Sequence, residues 1–208
     1  SYYAIDNKDL AMKQYELLLE LEPENFDALN RLAELYFDKK DFHSALKHYN
    51  KALAQKNGDE NIMIRIALCH NQIGKVEEAL NVFNVLLDAN PNHEQGRFLY
   101  AELLEKRGDH QKATENFRRL IIKYPNKEVY KAHFSVSLCN LGVEKYKEDN
   151  FFEAIEHYKE AALFDKNNPD IFYNLGRVYK KVGQTELALK KKKKAVKLNA
   201  KDVEVYIS

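Results

Sequence analysis

Residues 169–202 read PDIFYNLGRVYKKVGQTELALKKKKKAVKLNAKD, and the order of large, tiny and aromatic residues in this stretch decides the fold. Leu175 and Gly176 stand side by side, Tyr179 follows one turn later, and Ala188 and Ala195 mark a second apolar face. Residues three and four apart share one side of a helix, so the stretch predicts two helices, one on each side of Gly183. A glycine there ends the first helix and frees the chain to reverse into the second.

The same pattern extends back through the chain. Ala11, Ala45, Ala79 and Ala113 fall 34 residues apart, Ala154 comes after 41, and Ala188 after 34 again. Four residues beyond each alanine stand Tyr15, Tyr49, Phe83, Phe117, Tyr158 and then, out of pattern, Lys192. A small residue with an aromatic one turn later makes room for a neighbouring helix and fills the space beside it. With the alanine counted as position 20, position 7 is Leu32, Ile66, Tyr100, Leu141 or Leu175, and position 8 is Ala33, Ala67, Ala101, Gly142 or Gly176. The turn falls at Lys40, Gly74, Gly108, Glu148 and Gly183, and Pro23, Pro91 and Pro125 end the second helix of their units, because proline cannot continue a helix.

These residues resemble the tetratricopeptide repeat family, whose 34-residue unit carries large-x-x-Leu-Gly-x-x-Tyr followed by Ala, aromatic, Ala and Pro. Phe172, Leu175, Gly176, Tyr179, Gly183, Ala188 and Ala195 match it best, together with Phe151, Ala154, Tyr158 and Ala161 in FFEAIEHYKEA. The resemblance implies an all-α fold, an α-solenoid of antiparallel helix-turn-helix units forming a right-handed superhelix. Full units fall at 26–59, 60–93, 94–127, 135–168 and 169–202. Residues 1–25 supply the end of an earlier unit, with Tyr2 at position 11, and 203–208 read as the start of another. The whole is expected to form one solenoid domain. A chain that begins without Met and inside a helix reads as a segment of something longer.

Seven extra residues, 128–134, separate the third and fourth units. Seven residues are about two helical turns and rotate an apolar face by only about 20°. Glu128 to Leu141 contains no Gly or Pro, so the insertion predicts a long first helix whose Val129, Tyr130 and Phe134 offer an apolar surface to a partner or to the preceding second helix. At Lys192 an ammonium takes an aromatic slot and must snorkel outward along its stem, which predicts a weak final helix.

With 31% charged and 45% apolar residues, and no apolar run near the roughly 18 residues of a membrane span, the composition fits a soluble helical chain that is not inserted in a membrane. Cys69 and Cys139 lie two repeats apart at different positions of the register. Lone thiols favour a reducing compartment such as the cytoplasm. Residues 1–104 hold 11 Lys and Arg against 17 Asp and Glu, whereas 105–208 hold 22 against 15. Such a gradient suits a charged partner or end-to-end contact with another copy. The run Lys190 to Lys194 lacks interleaved aromatics, so nucleic acid is not the expected partner.

The seven histidines, at 43, 48, 70, 93, 110, 133 and 157, have no metal-ligand spacing, and no Walker loop, dinucleotide fingerprint, G-x-S-x-G or cysteine cluster is present. The residues point to no catalysis and to no cofactor or metal.

In proteins of the resembled family the first helices line a concave wall, and their groove positions fall here on Asn30, Arg31, Arg65, Asn71, Phe98, Glu102, Asn140, Tyr146, Tyr173, Asn174 and Arg177. Asn140 and Asn174 share position 6 in adjacent units, where an amide can both donate to and accept from an extended peptide backbone. Arg31 and Arg65 share that position and suit an acidic segment. Phe98 and Tyr173 would anchor side chains. The family's clamp for a C-terminal carboxylate needs Lys and Asn at positions 5 and 9. Here the first unit has Asn30 and Glu34, and the fourth has Cys139 and Val143, which speaks against that mode. The expected function is a non-enzymatic scaffold that binds a peptide or protein segment in the groove. Two alternatives stay open, a substrate-recruiting arm of a larger enzyme and a self-assembling module.

Overall fold

Helix boundaries fall where capping chemistry puts them. The computed structural model describes the backbone of residues 2–207 and the side chains of residues 7–200. Among the described residues the chain forms α1 (Tyr2–Leu21), α2 (Phe26–Asp38), α3 (Phe42–Gln55), α4 (Glu60–Gln72), α5 (Val76–Ala89), α6 (Glu94–Arg107), α7 (His110–Lys123), α8 (Glu128–Lys147), α9 (Phe151–Phe164), α10 (Pro169–Lys181) and α11 (Thr185–Ile207). No strand occurs among them. Asn25, Asp41, Asp59 and Asp109 each accept a hydrogen bond from a backbone N–H three residues on, at 3.0, 3.1, 3.2 and 3.3 Å. Each satisfies a donor that the first helical turn leaves without a partner. His93 caps α6 in the same way, its Nδ1 accepting from Gly96 N–H at 2.9 Å, which leaves the proton on Nε2 and aims it at Glu60, 3.4 Å away.

Asp59 gives this capping a pH signature. Its hydrogen bond with the Lys56 ammonium and the Ile62 N–H hold its carboxyl below the ordinary 3.8, against the opposing effect of burial. A carboxyl whose pKa is lowered by folding stabilises the native state above its unfolded value, and the contribution fades as pH falls through the folded value. Asp59→Asn keeps an acceptor for Ile62 but has no proton to gain. The variant is expected to lose less Tm than wild type on acidification below about pH 4; parallel melting curves across a pH series would contradict this.

The turn inside each pair needs one left-handed residue. Gly74, Gly108 and Gly183 supply it with φ of 80°, 90° and 78°, while Lys40 and Asp149 adopt 62° and 57°. The fourth turn therefore pivots on Asp149, one residue after the Glu148 expected from the sequence, which instead caps α8 at φ −81°. Short turns make successive helices antiparallel neighbours.

Packing sorts the residues into two compact units, 1–97 and 98–208. In the first, α1 to α5 pack in file, each against the next; in the second, α7 to α11 do the same, and α10 also touches α8. The repeated small and aromatic residues form the core: Ala45, Ala79, Ala113 and Ala154 are fully buried, as are Tyr49, Phe83, Phe117 and Tyr158. In the fourth repeat a Cβ on Gly142 would lie 2.8 Å from the Tyr158 ring, so only glycine lets α8 and α9 approach this closely. In the fifth, the corresponding neighbour of Gly176 is the Lys192 Cγ, at 2.7 Å from such a Cβ. The aliphatic stem thus lies where the ring would, and Lys192 is half-buried.

The insertion 128–134 is helical, and α8 runs unbroken for 20 residues. Its added turns pack largely against neighbouring helices. Tyr130 and Phe134 are buried, and only Val129 stays half exposed. Phe134 meets Phe164 edge-on at 5.0 Å, under the Arg118 guanidinium at 5.0 Å, while Tyr130 packs on Phe98 and Tyr124. Of the two coverings that the sequence allowed, a partner or the preceding second helix, α7 and the turn after it supply theirs through Arg118 and Tyr124, joined by Phe98 on α6 and Phe164 on α9. The side chains of 203–207, and Tyr2, lie outside the described residues, as does Ser208; the backbone of α11 continues through Ile207. No helix is long and apolar enough to cross a membrane among the described residues.

Candidate functional site

The first helices of unit one gather three candidate residues around a cleft of about 420 Å³. Asn30, Arg31 and Glu34 come from α2, Asn61, Ile64, Arg65 and Leu68 from α4, and Gln95 from the start of α6. A turn of helix separates each residue from the next on the same face, which is why positions 5, 6 and 9 of the register converge. Ile64 is buried and Leu68 half-buried, giving an apolar floor below a polar rim. Arg31 pairs with Glu34 at 2.9 Å in an exposed bridge, and the Arg65 guanidinium lies 5.3 Å from the Phe37 ring centroid. Contacts of this kind hold each guanidinium in place while leaving donors for an incoming carboxylate. Asn71 lies further along α4, half-buried and away from this cleft.

Unit two arranges its candidates differently. Glu105 accepts from the Ser137 hydroxyl at 2.6 Å and from the Asn140 amide, and it faces His110 Nδ1 at 2.9 Å. An ionised carboxylate only accepts, so the His110 proton sits on Nδ1. Since Ser137 gives its proton to Glu105, the Thr114 hydroxyl 3.0 Å away is the donor to Ser137. The Asn140 amide therefore bonds to the preceding repeat, which corrects the picture of Asn140 and Asn174 as two equivalent free rungs. Asn174 is half-buried, and its side chain makes no hydrogen bond among the described residues.

Phe98 is corrected too. It is not an open anchor: its ring contacts Phe117 at 6.1 Å, Tyr130 at 5.3 Å and His133 at 5.0 Å. The insertion before the fourth repeat supplies Tyr130 and His133, and these close over it. Glu102 stands 3.9 Å from His133 Nε2. Tyr146 and Arg177, from α8 and α10, do come together, the guanidinium 4.9 Å from the ring centroid. Tyr173 is exposed and lines a separate cleft with Asp170, Lys192, Ala195 and Val196.

Sequence reasoning missed the α11 side of that cleft because it considered first helices alone. It also missed the cleft of about 700 Å³ among α7, α9 and α11, where Phe152, 75% exposed, stands beside Ile155, His157 and Leu187. The pair Phe151 and Phe152 was the available signal, since only one of two adjacent helical aromatics can face the core. Burial pushes the Cys69 and Cys139 thiols up to about 11 and about 12, so neither is a thiolate at neutral pH. No group of three His, Cys, Asp or Glu side chains could hold a metal among the described residues.

Tetratricopeptide repeat models match residues 1–60 and 67–128, 36–97, and 169–202, and a TPR repeat model matches 142–183. The chain belongs to the tetratricopeptide repeat family. Its fold class is the α-solenoid, built from stacked helix pairs. Among curated relatives it is similar to the Hsp70-Hsp90 organizing protein of Triticum aestivum, 24% identical over 199 residues, with 78% of this chain and 33% of that protein covered. It is also similar to the probable UDP-N-acetylglucosamine--peptide N-acetylglucosaminyltransferase SPINDLY of Hordeum vulgare, 24% identical over 167 residues, with 80% of this chain and 18% of that protein covered. The chain thus spans a third or less of the length of these two relatives. Among solved structures it shares its fold with YrrB, described as a TPR protein with an unusual peptide-binding site, at a TM-score of 0.63 and 21% identity over 88% of this chain and 91% of that one.

Proposed function

We propose that this repeat chain is a non-enzymatic scaffold that holds an extended, acidic segment of a partner protein against the first helices of unit one. The observation that carries the reading is the cleft between α2 and α4, where Arg31 and Arg65 stand at equivalent positions above Ile64 and Leu68. An extended segment turns alternate side chains to opposite sides, so apolar residues would meet the floor while acidic ones reach the guanidiniums. Asn30, Asn61 and Gln95 offer amides to its backbone. In unit two, Tyr173, Asn174 and Arg177 are the residues proposed to hold a further stretch. Family membership and the names of the relatives support a protein-interaction role.

A short fluorescent peptide of alternating leucine and glutamate tests this, with the same peptide carrying lysine for glutamate as control. Anisotropy is expected to show binding of the acidic peptide only, and Arg31→Ala with Arg65→Ala is expected to weaken it about tenfold or more with the helical circular dichroism unchanged. Equal binding of both peptides, or undiminished binding by the variant, overturns the reading. The similarity to SPINDLY favours a second reading, in which the same cleft delivers a segment to a catalytic domain of a longer protein; the flanking coding sequence decides between them.

A further inference from the structure

In unit two, an ion pair that links two second helices becomes a like-charge pair one repeat later. Arg118 on α7 and Glu160 on α9 occupy positions 25 and 26 of adjacent repeats, with the alanine counted as position 20, and the guanidinium donates to both carboxylate oxygens at 2.7 and 3.0 Å. One repeat on, the same two positions hold Lys159 on α9 and Lys194 on α11. An ammonium has no acceptor to offer another. Lys159 turns back to Glu156 on its own helix at 2.7 Å, while the ammoniums of Lys194 and Lys191 lie 3.7 and 5.8 Å from the Phe172 ring centroid. Lys190 to Lys194 make no ion pair among the described residues. Burial, and then the charges of Lys194, Lys190 and Lys159, hold the Lys191 amine below its ordinary range, as cations gathered without a counter-charge should.

An apolar opening adjoins this cluster. Phe152 stands 75% exposed in the cleft of about 700 Å³ that Ile155, Tyr179, Leu187 and Lys159 also line, whereas the same position holds His43, Glu77, Gln111 or Glu186 in other repeats. The seam lies inside the array: α10 and α11 already follow α9, yet Phe152 and Glu156 remain exposed and Glu160 only half-buried. Lys190 and Lys194 are the counterparts of Glu156 and Glu160, so a repeat packed on α10 and α11 would leave them as open as these.

We propose that the seam between α9 and α11 is a second binding site, separate from the cleft of unit one, for an acidic segment of a partner protein: a carboxylate enters between Lys159 and Lys194, where the repeat before has Glu160, and an apolar side chain of the same segment fills the cleft beside Phe152. Charge complementarity selects this occupant. Phe152 and Leu187 each precede their lysine by seven residues, about 10 Å along a helix, a distance that about three residues of extended chain span. Glu153 and Glu156 line the apolar end and repel a uniformly anionic surface such as a lipid bilayer or a nucleic-acid backbone. A segment with its apolar group at one end and its carboxylates at the other avoids them.

Fluorescence anisotropy on the 208-residue chain carrying Arg31→Ala and Arg65→Ala tests this with the cleft of unit one silenced. The probe is a labelled peptide with a phenylalanine and, three residues on, a pair of glutamates among serines and glycines; its controls carry alanine for phenylalanine or glutamine for glutamate. Binding is expected for the probe alone and is expected to weaken with added salt, because screening reduces the charge term. Phe152→Ser and Lys194→Glu, each added singly, are expected to weaken it about tenfold or more. Lys51→Glu, the same change at the same repeat position on α3, is expected to leave it unaltered. Phe152, Lys194 and Lys51 are all exposed, so folding is preserved, as circular dichroism verifies. A probe that does not bind, a control that binds equally, or undiminished binding by Phe152→Ser or Lys194→Glu overturns the proposal. So does a loss with Lys51→Glu as large as with Lys194→Glu. Phosphatidylserine vesicles or a single-stranded oligonucleotide bound in place of the peptide, and lost with Lys194→Glu, would overturn it in favour of a membrane or nucleic acid.

Discussion

Replacing Phe117 by alanine is expected to destabilise the protein by about 3–5 kcal/mol, the cost of emptying a fully packed aromatic site. The ring is 0% exposed and touches Phe98 edge-on at 6.1 Å and His133 at 5.5 Å. Phe98 and Tyr130 pack against each other at 5.3 Å, so truncation of Phe117 removes support from the whole aromatic group. In stacked repeats each unit is stabilised chiefly by its neighbours, and the loss falls on both α7 and α8. Lys192 is the internal control, since it sits at the corresponding position of the last repeat. Its stem packs on Gly176 while the residue remains half solvated, so Lys192→Ala deletes far less buried surface and is expected to cost about 1 kcal/mol or less. Urea unfolding of the two variants checks the contrast; similar midpoints for both would show that the aromatic slot is not the core its periodicity implies.

That slot was legible in the sequence because burial in a stacked array is periodic. Ala45, Ala79, Ala113 and Ala154 are all 0% exposed, so a larger side chain at any of them must displace packed neighbours, and they recur at near-fixed spacing. The turn was legible wherever glycine marked it. It was misplaced by one residue at Glu148: counted five residues before Ala154, as Gly74 and Gly108 stand before Ala79 and Ala113, the turn falls on Asp149, which takes the left-handed conformation. Aspartate tolerates this region better than most residues; Lys40 does so with no local signal at all.

The candidate wall was legible as a set of positions, since the helical period fixes which residues share a face. What those residues touch was not. The partner of Asn140, Glu105, lies 35 residues away in the preceding repeat, and those of Phe98 lie on the second helix of its own unit and in the insertion. Spacing along one helix carries no information about which neighbour intercepts a side chain. Arg31 and Arg65 kept their positions because their partners, Glu34 and Phe37, are on or beside the same wall. The α11 cleft escaped notice for a different reason: only first helices were taken to line a binding surface, and Lys192, Ala195 and Val196 lie on a second helix.

Removing Glu105 is the second large effect. Its carboxylate accepts from Ser137, Asn140 and His110, and Ser137 in turn accepts from Thr114. Ser137 is 0% exposed and Thr114 4%, so no water reaches the hydroxyls once the acceptor is gone. An orphaned buried donor costs about 1–3 kcal/mol, and Glu105→Ala leaves at least two groups without their acceptor, which sets the expected loss at about 2–4 kcal/mol. Glu105→Gln retains one oxygen for Ser137 but turns an amide N–H toward other donors, so it is expected to fall between wild type and alanine. The decisive measurement is a double-mutant cycle in urea unfolding. Ser137→Ala removes the orphaned hydroxyl itself, so in the Glu105→Ala background it is expected to cost less than it does in wild type. Additive losses would mean that Glu105 and Ser137 act independently, and a Glu105→Ala change within about 0.5 kcal/mol of wild type would mean that the network adds nothing to stability. The pair of repeats joined by Glu105 is also the pair whose Asn140 the sequence assigned to the groove. Its amide donates instead to Glu105 on α6.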